Sequence, residues 1–581
     1  MRRVVATVLL CGLAGCRGRE APVSLTPRPV LEDGGLEFFP ALSPDGTQIA
    51  YASSRSGRFE VYVRELLTKG PPRLLTDDGR QNVQPAWSPD GTEVAYHSKR
   101  TGGIWVVPAA GGTPRLVSDF GSEPSFSPDG TRIAFQSQPL TDVLATSPAA
   151  TPPSTIWVVP ARGGASRPVT KEAEPFGGHG SPSWSPDGKR LFFVASDPRG
   201  VTVDLWSVAP DGTDQAKILS ASRLWAPRPD LEGRSILYGG RTAESLHAIF
   251  RLPLARGSRA ASGPPSPVTP PGAEVARHPT VSSAGNLAWS ALSTEGNLWS
   301  LPLSPGTSLP AGPARALTTG PGRATWPLFS ADGKRIAYGR TLPGHSADIW
   351  LMDADGGRSR ALLESPAIDY VQSWFPDGKR LFYVTNRGGR FGYSSLEVET
   401  GATAELPVSV PDADAPMLSP DGKRVAFHCK RGGITINTWM VDLDTGRQEQ
   451  LTFDREFLGF PCWSPDGKLL AAQVRRGDDV HIVTLPAAGG TPTQLTNERG
   501  LSWPFGFSPD GKRIAFAGYR DDAWNVHWVS LDGKSVRLTD NRRLEVYVRY
   551  PSFSPSGDQV VYEHAVTSSR LLVLDALPDP R

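Results

Sequence analysis

The sequence predicts an all-β protein of tandem β-propellers, arranged as two six-bladed rings of four-stranded blades. Three observations support this fold class. A hairpin motif recurs from one end of the chain to the other, its period matches the length of a propeller blade, and no long segment shows helical periodicity. The 61 glycines and 56 prolines are the composition that many tight turns require.

The hairpin motif is clearest at 124–135, where Pro-Ser-Phe-Ser and Arg-Ile-Ala-Phe flank Ser-Pro-Asp-Gly. Proline presets the φ angle of a type I turn, aspartate can hydrogen-bond the local backbone, and glycine takes the positive φ that closes the turn. The flanking segments are rich in strand-forming residues. Each copy is therefore predicted to be a β-hairpin.

Twelve copies of the hairpin can be placed by their turn residue. Two are degenerate, at 229–233 and 282–285, and one has Ser556 in place of aspartate. The clear copies carry Asp45, Asp90, Asp129, Asp187, Asp332, Asp377, Asp421, Asp466 and Asp510. From Asp332 onward the copies are spaced by 44 to 46 residues, and a four-stranded blade needs roughly 40–50 residues.

The rest of each unit has the parts of a blade. A third strand such as 104–107 follows the hairpin, then a Gly-Gly or Asp-Gly turn, then a fourth strand that ends in Leu-Thr or a variant of it. Together these motifs resemble the TolB-type (WD40-like) propeller repeat, which also occurs in tricorn protease and prolyl-oligopeptidase-like enzymes. The resemblance covers nearly everything after residue 35 and implies the fold, but no particular activity, because propellers host many functions.

The strand with which the repeats begin and end predicts how the rings close. The last unit ends with its third strand, 570–574, whereas Val23-Ser-Leu-Thr26 and 314–318 each look like a fourth strand without a blade. We expect 23–26 to close the sixth blade and 314–318 to close the twelfth, which leaves no free sheet edge. The predicted propellers span about 20–303 and 313–578, with 17–35 as tether and closing strand and 304–312 as linker. A division into seven and five blades is the alternative.

The N-terminus predicts a targeting segment. Arg2 and Arg3 precede an apolar stretch, 4–13, that is too short to span a bilayer. Leu-Ala-Gly-Cys at 13–16 resembles a bacterial lipobox, which implies a signal peptide over 1–16 and a lipid anchor on Cys16; an ordinary signal peptide is the alternative. Resemblance to envelope-sorting rules places the protein at the outer membrane, facing the periplasm. The net charge of +2 gives no polybasic surface of the kind that binds nucleic acid, so no nucleic-acid partner is predicted. The lipid on Cys16 is the only predicted membrane contact.

Aromatic residues mark the first group of candidate binding residues. They lie in the loops that lead into the innermost strands of the second ring, where they can stack on sugars or grip a peptide. The alternative is packing between blades, which accounts for such residues at least as often. The candidates are Trp326, Tyr370, Phe457, Phe460, Trp503 and Tyr547, with Phe505 and Tyr550 beside them.

Arginines in the loops between second and third strands form the second group of candidates. Arg340, Arg387, Arg431 and Arg520 are placed to bind carboxylates or phosphate. Their recurrence from blade to blade favours an architectural role instead. His179 lies nearest a propeller mouth among the nine histidines.

No motif indicates catalysis. The chain lacks the Gly-x-Ser-x-Gly nucleophile motif of prolyl-oligopeptidase-like enzymes, and no histidines have metal-ligand spacing, so neither metal nor cofactor is predicted. The leading hypothesis is an envelope lipoprotein that presents its double propeller as a scaffold for a protein or glycan partner. The alternative is a polysaccharide lyase or hydrolase with its site at a channel mouth. A sensor of a small ligand is a third possibility.

Overall fold

The structure is a computed structural model that describes residues 26–577. It leaves out 32–34, 69, 100, 139–153, 173, 176, 197–202, 222–223, 243–245, 258, 344, 388–390, 409–413, 430–435, 454–457 and 478. The predicted signal peptide with Cys16, the tether up to Leu25, Phe457 and Arg431 therefore lie outside the described residues. Within the described residues there is no helix, and so none long and apolar enough to cross a membrane.

The described part of the chain is all-β. The first half contains β1 Arg28–Pro29, β2 Glu37–Leu42, β3 Gln48–Ser53, β4 Glu60–Glu65, β5 Arg73–Leu74, β6 Asn82–Trp87, β7 Glu93–Ser98, β8 Ile104–Pro108, β9 Arg115–Ser118, β10 Ser122–Phe126, β11 Arg132–Gln136, β12 Ile156–Pro160, β13 Arg167–Pro168, β14 Gly178–Trp184, β15 Leu191–Ser196, β16 Val203–Val208, β17 Ala216–Ala221, β18 Leu224–Pro229, β19 Ser235–Arg241, β20 His247–Pro253, β21 Ser266–Pro267, β22 Val275–Val281 and β23 Leu287–Pro302.

The second half repeats the same arrangement. It contains β24 Arg315–Ala316, β25 Arg323–Phe329, β26 Arg335–Thr341, β27 Ala347–Asp353, β28 Arg360–Leu363, β29 Asp369–Trp374, β30 Arg380–Thr385, β31 Gly392–Glu397, β32 Thr403–Glu405, β33 Asp414–Leu418, β34 Arg424–Cys429, β35 Asn437–Asp442, β36 Gln448–Gln450, β37 Leu458–Trp463, β38 Leu469–Arg476, β39 Asp479–Pro486, β40 Thr493–Gln494, β41 Leu501–Phe507, β42 Arg513–Arg520, β43 Ala523–Ser530, β44 Ser535–Arg537, β45 Val546–Phe553 and β46 Gln559–Leu574.

The predicted hairpins are confirmed, as the first copy shows. Gly46 has a φ of +75° and donates its backbone N–H to the Ser43 carbonyl at 2.9 Å. The Asp45 carboxylate accepts hydrogen bonds from the Ser43 hydroxyl at 2.6 Å and from the Thr47 backbone at 3.1 Å. The bond from Ser43, followed by those from Thr47, lowers the pKa of Asp45. These aspartates are structural parts of the turn, as the sequence predicts.

The strands form four-stranded antiparallel sheets of consecutive strands, as propeller blades do. They are β2–β5, β6–β9, β10–β13, β14–β17 and β18–β21 in the first half, and β25–β28, β29–β32, β33–β36, β37–β40 and β41–β44 in the second. A single parallel bridge, Val480 to Leu501, joins the last two of these. Hydrophobic clusters fill the spaces between consecutive sheets; one contains Val61 of β4 and Tyr96 of β7.

The first strands of the sheets contact one another in closed order. β2, β6, β10, β14, β18 and β22 form one closed series, which we call the first circuit. β25, β29, β33, β37, β41 and β45 form another, the second circuit. Closure removes the exposed edge that an open row of sheets would present.

Two long strands pass between the circuits. β23 and β46 pair antiparallel along their whole length, from Leu287 opposite Leu574 to Pro302 opposite Gln559. The ribbon contributes to the last sheet of each circuit, which we call its closing sheet. The closing sheet of the first circuit has the strand order β22, first half of β23, last part of β46, β1. That of the second circuit has the order β45, first half of β46, last part of β23, β24. Each closing sheet therefore takes its third strand from the other half of the chain.

This exchange differs from the closure expected from the sequence, in which each half supplies its own third strand. The fourth strand of the closing sheet of the second circuit is β24, which lies within the expected 314–318. In the closing sheet of the first circuit it is β1, Arg28–Pro29, and not the expected 23–26, of which 23–25 lie outside the described residues. The Thr318 hydroxyl accepts a hydrogen bond from the Leu298 backbone at 2.9 Å. The threonines of the other Leu-Thr motifs bind their third strands in the same way, as Thr76 does at Val61.

The predicted linker, 304–312, is part of the second half of the molecule. It lies between β23 and β24 of the closing sheet. The Ser308 carbonyl accepts a hydrogen bond from the Trp528 indole at 3.0 Å, and the Gly306 carbonyl accepts one from Arg513 at 2.8 Å. The connection between the two circuits is instead the paired ribbon of β23 and β46.

Candidate binding site

The first strand of each sheet, here called the inner strand, carries a β-bulge at which its pairing register with the second strand shifts. In ten of the twelve, the residue before a proline in the bulge has a positive φ. A bulge can re-aim a side chain that would otherwise lie against the neighbouring sheet. In the first circuit these residues are Phe39, Gln84, Glu123, Ser181, Ala226 and His278; in the second they are Trp326, Ala415, Phe460 and Tyr550.

Aromatic bulge residues of the second circuit meet inside it. The Trp326 ring centroid lies 4.4 Å from that of Tyr550 and 6.2 Å from that of Phe505, and Phe505 lies 5.0 Å from Tyr550. Strands β25 and β41 are not neighbours in the circuit, so the contact between Trp326 and Phe505 is made inward of the strands. All three side chains remain partly exposed.

A second aromatic group lies between the last two sheets of the second circuit. The Trp503 ring is 4.5 Å from Trp524 and 6.4 Å from Tyr547. The Arg549 guanidinium carbon lies 4.7 Å from the Trp503 centroid and 4.4 Å from the Tyr547 centroid, within range of a cation–π interaction. Tyr547 is buried, so this candidate packs between sheets, whereas Trp503 keeps part of its surface exposed.

Tyr370 and Phe460 complete the described aromatic candidates. Tyr370 is the second residue of β29 and is 41% exposed, the most accessible of the set. Phe460 is half-buried; its backbone N–H donates to His428 Nδ1 at 3.1 Å, and its ring lies 5.0 Å from that imidazole. Of the aromatic candidates, Tyr370 therefore offers the largest fraction of its surface to a partner.

The described candidate arginines bind the segment that leads into the inner strand of their own sheet. Arg387 lies 3.5 Å from the buried Asp369 carboxylate, and Arg340 donates to the Thr319 carbonyl at 3.1 Å. Arg520 donates to the Leu501 carbonyl at 2.7 Å and to the Ser502 hydroxyl at 2.5 Å. In the first half, Arg55 pairs likewise with Glu37 at 2.9 Å. Of the three, only Arg387 lies in a loop between second and third strands, where the sequence predicts all of them; Arg340 lies within β26, and Arg520 is the last residue of β42. Their contacts lie at the end of the sheets where the inner strands begin.

His179 is fully buried. Its Nδ1 lies 2.8 Å from the Thr170 hydroxyl, and its Nε2 lies 2.7 Å from the Pro175 carbonyl. The Phe193 ring packs against it edge-on at 5.3 Å. The imidazole thus joins two segments of the first half and does not face a mouth.

Sequence reasoning missed the bulge residues of the first circuit. Their signal is present in the sequence: a residue followed by proline, four positions before the serine that begins the turn, as in Gln84-Pro85 before Ser88. Glu123 and His278 occupy this position in their own units. The pattern shows the position, whereas the structure is needed to show that these side chains point inward and meet.

The family model of the TolB beta propeller domain matches residues 27–141, 307–456 and 415–576. The chain belongs to the TolB beta-propeller family. The matched segments lie in both halves of the chain and leave 142–306 unmatched.

Relatives and solved structures with this repeat match parts of the chain. It is 26% identical over 226 residues to the Tol-Pal system protein TolB of Francisella tularensis subsp. tularensis, which is 38% of this chain and 51% of that protein. The chain thus spans about half the length of the curated relatives it matches. A protein from Agrobacterium tumefaciens assigned to TolB covers 47% of this chain and 99% of its own, at 20% identity and a TM-score of 0.40. Tricorn protease covers 90% of this chain and 59% of its own, at 13% identity and a TM-score of 0.27.

Proposed function

We propose that this TolB-family chain is a non-catalytic scaffold of the bacterial cell envelope that docks a protein partner. The observation that carries the proposal is the match of the TolB propeller domain in both halves of the chain. It is joined by the similarity to a protein of the Tol-Pal system. A propeller offers rigid loops at the end of a stiff ring, which suits a docking surface.

The scaffold is proposed to consist of two six-bladed propellers. The support is that each circuit contains six inner strands in closed order and that each closing sheet has four strands. The first propeller would contain 28–292 together with 569–574, and the second would contain 297–566. The paired ribbon of β23 and β46 would then hold the two rings together without a separate linker.

The docking face is proposed to be the end of the second circuit where the inner strands begin. Tyr370 is exposed there, and Trp326, Phe460 and Trp503 are half-buried nearby. Tyrosine, tryptophan and arginine dominate the binding energy of protein interfaces. Aromatic rings also stack on sugars, so a glycan partner is the competing outcome of the test.

The proposed location is the outer membrane, with the propellers in the periplasm and a lipid on Cys16 as the only anchor. The sequence at 13–16 supports the anchor. The periplasmic setting is supported by the similarity to a Tol-Pal system protein.

Chemical cross-linking in native envelopes, with adducts identified by mass spectrometry, tests this function. We expect one reproducible protein adduct, which is weakened when Tyr370 and Trp503 are both replaced by alanine. The matched control is Leu67→Ala, since Leu67 is 86% exposed but belongs to the first half. Adducts with glycan alone, or a protein adduct that the Tyr370/Trp503 variant leaves unchanged, would refute the proposed docking face.

A further inference from the structure

A cavity of about 440 Å³ lies between two neighbouring sheets of the first half, β6–β9 and β10–β13. One side is the outer strand β9 with the segment that follows it, and the other is β12 with the turn after it. Arg115 of β9 donates to the Ala161 carbonyl at 2.7 Å, which ties the two sides together. The volume lies in the range of about 300–1,000 Å³ that small-molecule sites occupy.

Two aromatic rings form the apolar part of this cavity. Phe120 and Trp157 meet edge-on, with ring centroids 5.1 Å apart and ring planes at 88°. The Trp157 indole donates to the Thr155 hydroxyl at 2.9 Å, so the orientation of the ring is fixed and its N–H is satisfied. Both rings keep part of their surface exposed. The cavity therefore offers a ligand the surface of the rings and not the indole N–H.

Asp119 supplies the charge of the cavity. Among the described residues that line the cavity, it alone is charged. It is exposed, and its carboxylate has no hydrogen bond or ion pair within the part of the chain that the structure describes. A carboxylate and the negative face of an aromatic ring both attract a cation. The combination of Asp119 with Trp157 thus favours a positively charged ligand.

The next sheet, β14–β17, shows how such a combination is filled within this protein. The Lys217 ammonium lies 6.0 Å from the Trp206 ring centroid and 3.3 Å from the Asp204 carboxylate. Trp206 is the equivalent of Trp157, since each stands six positions before the glycine of the following turn. A lysine is therefore held between an aromatic ring and a carboxylate at this position of the next unit.

The first sheet, β2–β5, has the same combination with a different cation. The Arg55 guanidinium carbon lies 5.2 Å from the Tyr62 ring centroid, and its Nη2 lies 2.9 Å from the Glu37 carboxylate. Tyr62 is also equivalent to Trp157, because each follows the residue whose backbone N–H binds the threonine of the Leu-Thr motif or its variant. The position beside this aromatic residue thus accepts a cation in two other units.

The unit of Trp157 has no basic side chain of its own at this position. Pro168 stands opposite Trp157 in the sheet, whereas the next unit has Lys217 there. The first unit takes Arg55 from the segment between its second and third strands, but 133–161 contains no lysine or arginine. No lysine or arginine among the described residues lies over the Trp157 ring. The ring and the carboxylate are present, and only the cation is lacking.

We propose that this cavity binds an alkylammonium group, held over Trp157 and paired with Asp119. The group takes the place that Lys217 takes in the next unit. A cation–π contact and an exposed ion pair are each weak, so the expected affinity is about millimolar. The ammonium group belongs to a free amine or to a lysine side chain of a partner protein. This site lies in the first half and does not depend on the docking role proposed above.

Ligand-detected NMR titration of the purified full-length protein tests the site, because it measures weak binding. The probes are n-butylammonium, acetyl-Ala-Lys-Ala-amide, and the same peptide with its lysine side chain acetylated, all in sodium buffer at equal ionic strength. We expect saturable binding of n-butylammonium or the lysine peptide, or of both, and no binding of the acetylated peptide, which has lost its charge. Tighter binding of n-butylammonium identifies a free amine as the ligand, and tighter binding of the lysine peptide identifies a side chain of a partner.

Three variants connect the binding to these residues. Pro168→Lys places a lysine opposite Trp157, as Lys217 stands opposite Trp206. It should fill the site from within and weaken binding about tenfold, since a tethered group competes at a high effective concentration. Trp157→Leu should weaken binding about threefold or more, because it removes the cation–π contact. Asp119→Asn should weaken it about threefold, because it removes the ion pair.

Two matched controls should leave the binding unchanged. Trp206→Leu changes the equivalent ring, which Lys217 already covers. Glu172→Gln removes an exposed carboxylate of the same unit that does not line the cavity.

Several results would overturn the proposal. These are no binding of either charged probe, equal binding of the acetylated peptide, or unchanged binding by a folded Trp157→Leu or Pro168→Lys variant. If Trp157→Leu does not fold, Pro168→Lys decides, since Pro168 is exposed. Weakened binding by Pro168→Lys supports the site, and unchanged binding contradicts it.

Discussion

Arg323 pairs with the buried carboxylate of Glu563 where the ribbon of β23 and β46 passes from one circuit to the other. Arg323 Nη2 lies 3.0 Å from Glu563 Oε2, and its Nε donates to Oε1. Glu563 has no exposed surface. A Cβ at Gly296 would lie 2.6 Å from the Glu563 carboxylate, so glycine leaves room for the pair. The pair connects β25 to the strand that completes the closing sheet of the second circuit.

Replacing Glu563 by alanine should lower the free energy of unfolding by about 3–5 kcal/mol, because Arg323 would remain buried without its partner. Denaturant unfolding followed by tryptophan fluorescence measures the change. Arg358→Ala is the matched control, since Arg358 pairs with Asp353 but its side chain is 86% exposed; we expect little effect there. Equal effects of the two substitutions would show that the buried pair does not hold this junction.

Cysteines at Ser293 and Ser568 should form a disulfide. The two residues face each other in the centre of the ribbon, although 275 positions separate them in the sequence. Cα atoms of such partners lie about 4.5–5.5 Å apart, within the range that a disulfide spans. Mass spectrometry of the oxidised, digested protein detects the linked peptides.

The control for this cross-link pairs Ser293→Cys with Ser535→Cys, which lies in β44 of another sheet. This pair should stay reduced under the same oxidation. If 293 and 568 also stayed reduced, the two long strands would not pair, and the closure expected from the sequence would be restored.

His527 should make the second half sensitive to acid. Burial, followed by the charges of Arg520 and Arg537, lowers the pKa of His527 to about 3. In the unfolded chain the pKa of this histidine is about 6.5. Below that pH the unfolded chain takes up a proton that the folded protein does not, so the free energy of unfolding is unaffected above about pH 6.5. It falls as the pH decreases toward 3, by up to about 1.4 kcal/mol per pH unit.

Replacement by phenylalanine should remove this pH dependence, because the His527 ring stacks on Phe516 at 4.9 Å and the site is already aromatic. Between pH 7 and 4.5 the wild-type protein should lose about 2–3 kcal/mol more unfolding free energy than His527→Phe, measured in urea. The exposed His345 supplies the control variant, His345→Phe. Parallel pH profiles for the wild type and His527→Phe would contradict the prediction.

Cys16→Ser should abolish the incorporation of labelled fatty acid and release the protein from the membrane fraction of its host. A thioether-linked lipid requires the thiol, whereas an ordinary signal peptide does not. Cys11→Ser is the matched control in the same segment and should keep the label. Fatty-acid label on the Cys16→Ser variant, or no label on the wild-type protein, would contradict the proposed anchor.

Most of the fold could be predicted because each unit carries its own local signals. The turn residues around Asp45 fix a hairpin through contacts within five positions of the chain. The exchange of third strands could not be predicted in this way. Segments 297–301 and 570–574 each consist of a polar residue followed by a leucine-rich stretch, and nothing local tells which second strand each will join.

The candidate site was predicted only in part, for a related reason. Sequence position places Arg387 in the loop where it is found and Arg520 near its actual place at the end of β42, but it does not show their partners at the start of the inner strands. The same limit applies to Phe39, whose ring lies 4.4 Å from that of His278, a residue of a distant unit. Contacts between units depend on the closed order of the sheets, which no single repeat encodes.

A photo-reactive amino acid at position 370, introduced into the protein in living cells, tests the docking function most directly. We predict a light-dependent adduct with one protein partner, which disappears when Trp503→Ala is added. The same probe at position 67, on the first half, should give no such adduct. Adducts at 370 with glycan only, or equal adducts at both positions, would contradict the account of this chain as a protein-docking scaffold.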